Sequence, residues 1–126
     1  MIQYQDWYGF RRILIVDEEK SASVQLDVFN DDEMGSRYKE RYRADALLFS
    51  LWVNGCNRKR GEGSMLMIEA ELHAIGNRCK SIALEYDCRE APEWVKRWYE
   101  RLGYEEKAFG RFGVIMVKQL ARKDKQ

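Results

Sequence analysis

Residues 45–75 read DALLFSLWVNGCNRKRGEGSMLMIEAELHAI, and this stretch decides the fold of the chain. Residues 45–53 are almost all apolar, and a run of this length suits a strand better than a helix. Successive side chains point to opposite sides, with Leu47, Phe49, Leu51 and Val53 on one and Leu48, Ser50, Trp52 and Asn54 on the other. Because neither side is strongly polar, the pattern predicts a central strand covered on both faces.

A basic loop with two glycines follows this strand. Asn54 and Gly55 end the strand, and three consecutive cations precede Gly61 and Gly63: Arg58, Lys59 and Arg60. At such a turn, backbone N–H groups converge on one point, with the positive end of the next helix dipole behind them. The loop therefore predicts a site for a phosphate or pyrophosphate. The alternative is a surface turn whose charges are solvated.

The helix after the loop is predicted from about Ser64 to Ile75. Apolar residues recur along it at steps of three and four, which predicts a stripe that faces the core: Met65, Ile68, Leu72 and Ile75. Gly76 and Asn77 supply a common helix end.

The spacing of the loop excludes two common phosphate motifs. Gly63 is followed by Ser64 and Met65, so the Gly-Lys-Ser/Thr end of a P-loop is missing. Leu66 stands where a dinucleotide fingerprint needs a small residue.

A different pattern does fit, since Arg58-x-x-Gly61-x-Gly63 behind an apolar strand resembles the acyl-coenzyme A loop of the GNAT N-acetyltransferase superfamily. A second segment, WYERLGY at 98–104, is similar to the aromatic-Tyr-x-Lys-x-Gly-aromatic segment of that family. The strand-like KSIALEYD at 80–87 lies between the two. The resemblance covers roughly residues 45–120. It implies an α/β (α+β) GNAT fold, which is a central mixed, mostly antiparallel sheet with one parallel β-α-β crossover and splayed central strands.

The 126 residues are predicted to form a single GNAT-like domain, 1–126, in which 1–9 are an N-terminal arm or edge strand and 121–126 a frayed tail. Besides 45–53, strands are predicted at 11–17, 22–30, 81–86, 104–107 and 113–120. A second helix begins near Pro92, and its core stripe contains Trp94 or Val95, then Trp98 and Leu102. Residues 31–44 form a loop or a short helix. The two helices that the family usually places before its central strands have no clear counterpart.

Composition excludes several classes of function. The 22 Lys and Arg against 21 Asp and Glu leave a net charge of +1, so no nucleic-acid or membrane partner is expected. Three cysteines without a C-x-x-C pair and one histidine predict neither a disulfide framework nor a metal site. Without a signal peptide or a membrane-spanning run, we expect a cytoplasmic protein. A homodimer is compatible with these features.

The resemblance implies acetyl-CoA as the cosubstrate. It places the pyrophosphate against the backbone of the loop and the pantetheine arm along the end of the first strand. The implied cofactor-binding residues are Leu51, Val53, Arg58, Lys59, Arg60, Gly61, Glu62, Gly63 and Ser64. An asparagine that the family commonly carries near the start of the second helix is replaced here by Glu90-Ala91-Pro92, which removes one pantetheine contact.

Acetyl transfer to a primary amine requires the amine to lose a proton. A lysine-like amine with a pKa of about 10.4 is neutral in about one molecule in 2,500 at pH 7, a cost of about 4.6 kcal/mol. Glu85 lies in a Leu-Glu-hydrophobic segment that resembles the one in which some protein N-terminal acetyltransferases place their base, so it is the predicted catalytic base. Asp45, Asp87 and Ser50 are alternatives, and Glu85 is otherwise an exposed strand residue.

The departing thiolate of coenzyme A needs a proton or a hydrogen bond. Tyr99 occupies the tyrosine of the second family segment and is the predicted catalytic donor, unless it is a core residue on the helix stripe.

These observations predict an enzyme. It is an acetyl-CoA-dependent N-acetyltransferase that moves an acetyl group to a primary amine of a protein or small molecule, by direct attack in a ternary complex. The alternative is a catalytically silent GNAT-fold module that binds an acyl-CoA or a protein partner. The residues do not select one acceptor.

Overall fold

The computed structural model describes residues 1–19, 21–54 and 61–120, with Glu62 described by its backbone alone. These residues form ten elements: β1 (Ile2–Trp7), β2 (Phe10–Asp17), β3 (Ala22–Phe29), α1 (Glu33–Tyr42), β4 (Ala46–Val53), α2 (Glu62–Gly76), β5 (Ser81–Asp87), α3 (Glu93–Arg101), β6 (Glu105–Phe109) and β7 (Gly113–Gln119).

All seven of these strands form one sheet, in the order β1-β2-β3-β4-β5-β7-β6. Neighbouring strands are antiparallel except for β4 and β5, which are parallel and are linked through α2. The predicted mixed, mostly antiparallel sheet with one parallel β-α-β crossover is therefore confirmed.

Helix α1 settles the choice that the sequence left open for residues 31–44. Asp32 is its N-cap, and the Asp32 side chain accepts a hydrogen bond from the backbone N–H of Gly35 at 2.7 Å. Arg43 ends the helix in a left-handed conformation, with φ at 59°. The helix lies between β3 and β4, and β1 and β2 are joined directly by the short turn at residues 8–9.

Strand β4 contains a bulge at Ser50. Ser50 and Leu51 together oppose one residue of β3, Val24, and the Ser50 backbone has a φ of 56°. The extra residue shifts the alternation of side chains by one position, so Leu51 and Val53 pack against the main core. The predicted strict alternation of β4 is therefore wrong beyond Phe49.

The main core lies between one face of the sheet and helices α2 and α3. The α2 stripe predicted from the sequence is wrong at three of its four positions, because Met65, Ile68 and Leu72 are 63%, 50% and 60% exposed. The helix instead buries a different set of residues at helical spacing: Leu66, Met67, Ala70 and Ala74. The two alanines have small side chains, which lets the helix backbone lie close to the sheet.

Helix α3 packs on the same face through Val95, Trp98, Tyr99 and Leu102. Trp94 is 59% exposed, so Val95 is the member of the predicted pair that faces the core. None of the helices in the described ranges is long and apolar enough to cross a lipid bilayer.

The opposite face of the sheet carries a partly buried ion pair, in which Asp27 is buried and Arg12 is partly exposed. Arg12 donates to both carboxylate oxygens of Asp27, at 2.9 and 3.1 Å, and its guanidinium lies 5.2 and 4.9 Å from the ring centres of Phe10 and Phe49. Burial raises the pKa of the Asp27 carboxyl, and the contact with Arg12 opposes that rise. This pair fixes β2 against β3 on the face that also holds α1.

Candidate functional site

The two central strands separate soon after they meet. Among the described residues, β4 and β5 share one register position, Leu47 opposite Ala83. The other edge of β5 pairs with β7 at every position from Ser81 to Asp87. The bulge at Ser50 comes three residues after the shared position, and the sheet opens from there into a slot. The predicted splaying of the central strands is confirmed.

A cleft of about 740 Å³, which we call the β5 cleft, lies at this slot. Its walls come from α1, β4, β5, the turn before α3, the last turn of α3 and the turn before β7. The lining residues are Tyr42, Leu47, Leu48, Phe49, Ser50, Leu51, Leu84, Glu85, Asp87, Glu90, Tyr99 and Phe112. Both residues predicted to act in catalysis, Tyr99 and Glu85, therefore line one cleft.

A second cleft of about 490 Å³, the α2 cleft, lies where β4 ends and α2 begins. Its lining residues are Leu51, Trp52, Val53, Gly61, Gly63, Ser64, Trp94, Val95 and Trp98. Leu51 lines both clefts, so they are neighbours at the end of β4. Five of the nine residues predicted to bind the cofactor lie together in this cleft: Leu51, Val53, Gly61, Gly63 and Ser64.

The start of α2 has the geometry of a glycine turn. Gly61 is the N-cap residue with a φ of 83°, a left-handed conformation that favours glycine, and its carbonyl accepts the Met65 N–H at 3.0 Å. Next to it, Trp98 donates its indole N–H to the Ser64 hydroxyl at 3.2 Å. The first backbone N–H groups of a helix have no partner within the helix, so they are available to a ligand.

The remaining predicted cofactor contacts cannot be placed. Arg58, Lys59 and Arg60 lie outside the described residues, and so does the side chain of Glu62. Their roles stay predictions.

Tyr99 lies half-buried on α3, with its ring centre 5.3 Å from that of Trp98 and 6.3 Å from that of Tyr104. Burial raises the pKa of the Tyr99 phenol, so the hydroxyl keeps its proton to higher pH than an ordinary tyrosine. No described residue forms a hydrogen bond with this hydroxyl, which leaves it available to a ligand in the β5 cleft. Tyr104, by contrast, is 1% exposed and donates to the Glu71 carboxylate at 2.8 Å.

Glu85 lies near the end of β5 and is half-buried. Its Oε2 accepts hydrogen bonds from the backbone N–H groups of Phe112, at 2.6 Å, and Gly113, at 3.1 Å. Within the described part of the chain nothing donates to Oε1. One carboxylate oxygen thus holds the turn before β7, and the other is open to the cleft.

The alternative bases differ in their surroundings. Asp87 lines the β5 cleft, but Arg89 contacts its carboxylate at 3.3 Å and lowers its pKa. Asp45 is not part of the cleft lining, and its Oδ2 accepts the Lys80 N–H at 2.7 Å. Ser50 lines the cleft at the bulge.

No sequence pattern predicted several of the aromatic residues that line these clefts. Tyr42 comes from a segment left open as loop or helix, and Phe112 from a connection between two strands. Trp94 and Trp98 both line the α2 cleft; Trp98 also packs against the core, as its helical spacing predicts, whereas Trp94 is exposed. No group of three His, Cys, Asp or Glu side chains suited to a metal ion occurs in the described ranges.

Sequence comparisons identify no relative, since no family model and no curated protein matches the chain. Solved structures do match its fold. The ribosomal-protein-S18-alanine N-acetyltransferase from Escherichia coli is 17% identical with a TM-score of 0.62, and the match covers 96% of this chain and 76% of that one. An acetyltransferase of the GNAT family from Staphylococcus aureus is 12% identical with a TM-score of 0.62, over 90% of this chain and 69% of that one.

The PaiA N-acetyltransferase from Thermoplasma acidophilum, solved in complex with coenzyme A, is 13% identical with a TM-score of 0.63. The match covers 88% of this chain and 61% of that one. Identities this low show a shared fold, and the activities in these names belong to those proteins.

Proposed function

We propose that this chain, which has the GNAT fold, is an acetyl-CoA-dependent N-acetyltransferase that acts on a primary amine. The observation that carries the proposal is the separation of β4 from β5 after Leu47, beside which lie two clefts that share Leu51 as a wall residue. An acyl thioester lying along the end of β4 would present its carbonyl where the two clefts meet. The acceptor amine would then approach through the β5 cleft.

The α2 cleft fits the cosubstrate. The turn at Gly61 and the first turn of α2 offer backbone N–H groups to a pyrophosphate, in a conformation that glycine permits at that position. Leu51 and Val53 would lie beside the pantetheine arm, and the Trp98–Ser64 hydrogen bond would fix the wall opposite. In this proposal Arg58, Lys59 and Arg60 add positive charge to the same anion, and acetyl-CoA supplies the thioester.

Glu85 is the proposed base. Its Oε1 is open to the β5 cleft and would accept the proton that the acceptor ammonium must lose, while Oε2 stays bound to the turn. The neutral amine nitrogen then attacks the thioester carbonyl and the C–N bond forms. As the tetrahedral intermediate collapses, the C–S bond breaks and the nitrogen releases its second proton to water, which supplies the proton of the departing thiolate. A base within reach of the proton contributes roughly 10²–10⁴-fold to the rate.

Tyr99 is the proposed donor to the departing sulfur. A phenol of pKa about 10 gives its proton to a thiolate of pKa about 8.5 at a cost of about 2 kcal/mol. Burial raises the pKa of Tyr99 further and so increases that cost. A hydrogen bond to the thiolate, with the final proton supplied from water, is therefore favoured over complete transfer from the phenol.

The acceptor belongs to the class of primary amines on a protein or small molecule. The Escherichia coli enzyme of the same fold is named for an alanine of ribosomal protein S18, which shows that this fold can serve a protein substrate. A cytoplasmic location and a homodimer remain part of the proposal.

Two measurements test the proposed function. Isothermal titration calorimetry should detect coenzyme A binding, and release of the free thiol from acetyl-CoA should depend on an added primary amine. Tyr99→Phe should retain coenzyme A binding and lose about 10²-fold or more in kcat. Absence of coenzyme A binding by the purified chain would refute the proposal.

The hydrogen bonds at Glu85 also favour a second candidate, a silent module that binds acyl-CoA. If the carboxylate serves only to hold the turn, the β5 cleft has no free base. Two results together would distinguish the silent module from the acetyltransferase. The chain would bind coenzyme A, and it would release no thiol in response to an amine at any pH between 6 and 9.5.

A further inference from the structure

The turn between β6 and β7 is held by a residue of β5. Glu85 Oε2 accepts the N–H groups of Phe112 and Gly113, at 2.6 and 3.1 Å, and Gly110 donates its N–H to the Gly113 carbonyl at 2.8 Å. The short distances and the ionised acceptor make these strong hydrogen bonds. The carboxylate therefore fixes the backbone of a four-residue turn, 110–113.

Two glycines allow this close approach. A Cβ at Gly110 would lie 2.2 Å from Glu85 Oε2, and a Cβ at Gly113 would lie 1.9 Å from the Tyr86 carbonyl oxygen. A methyl group at Gly110 would push the carboxylate aside, whereas one at Gly113 would collide with rigid backbone. The turn is thus built around the Glu85 carboxylate.

The turn carries Phe112 to the wall of the β5 cleft. Two guanidinium groups contact its ring: the centre of the ring is 4.6 Å from that of Arg89 and 5.5 Å from that of Arg111. Arg89 is itself held by Asp87 at 3.3 Å. Both the backbone and the ring of Phe112 are therefore fixed, although the side chain is 42% exposed.

We propose that Phe112 determines acceptor specificity in the β5 cleft and that Glu85 is the residue that positions it. The inference rests on the proposed acetyl transfer and concerns the acceptor end of the same site. The ring forms part of the cleft wall with Glu85 and Asp87, so it takes up space near the proposed base, and an amine branched at the carbon next to nitrogen is acetylated less readily than an unbranched one. Glu85 acts here through the turn, in addition to its proposed role as base.

Acetylation of n-butylamine and sec-butylamine measures this selectivity directly. Phe112→Ala should reduce the ratio of their kcat/KM values by about tenfold or more, since pocket contacts of this size give discrimination of that order. Phe109→Ala is the matched control, because Phe109 lies on β6 and is 92% exposed outside the cleft. An unchanged ratio in Phe112→Ala would overturn the proposal.

Variants of Glu85 separate positioning from proton transfer. Glu85→Gln retains an oxygen that accepts the two N–H groups, so it should keep the selectivity ratio even though kcat falls. In Glu85→Ala the ratio of the two kcat/KM values should fall as far as it does in Phe112→Ala. The double variant, which carries both substitutions, should show no further fall. Gly110→Ala should also lose the ratio, because it displaces the carboxylate. Wild-type selectivity in Glu85→Ala would contradict the positioning role.

Amide hydrogen exchange gives a readout that does not depend on turnover. The N–H groups of Phe112 and Gly113 should exchange at least about tenfold faster in Glu85→Ala than in the wild type, and at near wild-type rates in Glu85→Gln. Equal exchange in all three proteins would overturn the positioning role. Turnover of both amines without selectivity would overturn this inference alone, whereas no turnover of any amine would overturn the proposed function as well.

Discussion

The two edges of β5 behave differently. Along one edge, β7 pairs with it at every position from Ser81 to Asp87. Along the other edge, β4 meets it at Ala83 and then leaves. Both neighbours are apolar strands, so hydrophobicity does not explain the difference. The bulge at Ser50 does, because it bends β4 away at the point where pairing with β5 would otherwise continue.

Under the proposed function, this contrast separates the part of the sheet that holds the core from the part that would bind the cosubstrate. The β5–β7 edge buries Ile82, Leu84, Ile115, Met116 and Val117, and it holds the core together. The β4–β5 edge gives up backbone pairing, which is unfavourable unless other groups pair with the exposed backbone. An acyl thioester with an amide-bearing arm is a suitable partner for such a strand edge. We call the β5–β7 edge and the core around it the closed region, and the β4–β5 edge and the clefts beside it the open region. The following predictions test the difference between them.

We expect the largest difference in effect between two tyrosine substitutions, one in the open region and one in the closed region. Tyr99→Phe, in the open region, should lower kcat by about 10²-fold or more with little change in stability. Tyr104→Phe, in the closed region, removes the hydrogen bond to Glu71 and should cost about 1.5–3 kcal/mol in the free energy of unfolding, with kcat unchanged. Steady-state kinetics and urea unfolding of both variants check this pair, and equal kcat losses would remove the contrast.

Ser50 marks the boundary between the two regions. Because its φ is 56°, a β-branched side chain there should cost about 1–2 kcal/mol, whereas glycine should be tolerated. Ser50→Val should therefore lower the midpoint of urea unfolding, and Ser50→Gly should leave it equal or higher. If Ser50→Val were as stable as the wild type, residue 50 would not have the left-handed backbone conformation of the bulge.

Two glycines of α2 test the turn at the mouth of the α2 cleft. A Cβ at Gly61 or at Gly76 would meet nothing within 4 Å, so backbone conformation alone separates them. Gly61→Ala should cost about 1 kcal/mol because φ is 83°, and it should weaken coenzyme A binding. Gly76→Ala lies within the helix and should add up to about 1 kcal/mol without affecting binding. Calorimetry and thermal unfolding measure both effects, and weaker coenzyme A binding in Gly76→Ala would contradict this placement of the site.

We expect the smallest effect in the pH profile of kcat/KM. Burial disfavours the phenolate of Tyr99 and raises its pKa, so the donor keeps its proton beyond the ordinary tyrosine value of about 10. The rate should therefore show no decline caused by Tyr99 below about pH 10. The pH profile of kcat/KM between pH 6 and 10 checks this, and a decline centred near pH 8.5 would contradict the role of Tyr99.

The sequence predicted the order of strands around β4 and β5 and the helix between them, because a short apolar run, a glycine turn and an amphipathic helix have few ways to combine. The splayed sheet was implied by the resemblance to the GNAT family and by no pattern in the residues alone. The prediction from the residues failed on the orientation of α2, since that helix carries two apolar stripes at helical spacing. Packing chose the stripe with Ala70 and Ala74 over the one with Ile68 and Leu72, because small residues let the helix lie closer to the sheet.

The candidate site was predictable only where a local pattern marked it. Gly61, Gly63 and Tyr99 lie in recognisable segments, and the clefts contain all three. The bulge at Ser50 has no signal in the sequence, because serine is an ordinary strand residue and the bulge depends on pairing with β3. The hydrogen bond from Phe112 to Glu85 joins residues 27 positions apart, so it is seen only once β5 is packed against the turn between β6 and β7.

The most direct test of the open β4–β5 edge is a ¹⁵N NMR titration of the chain with coenzyme A. We predict large shifts for the amides of Leu51, Val53 and Gly61 to Ser64, and small shifts along the β5–β7 pairing from Ser81 to Asp87. Shifts confined to the β5–β7 pairing, or no shifts at saturating coenzyme A, would contradict the account.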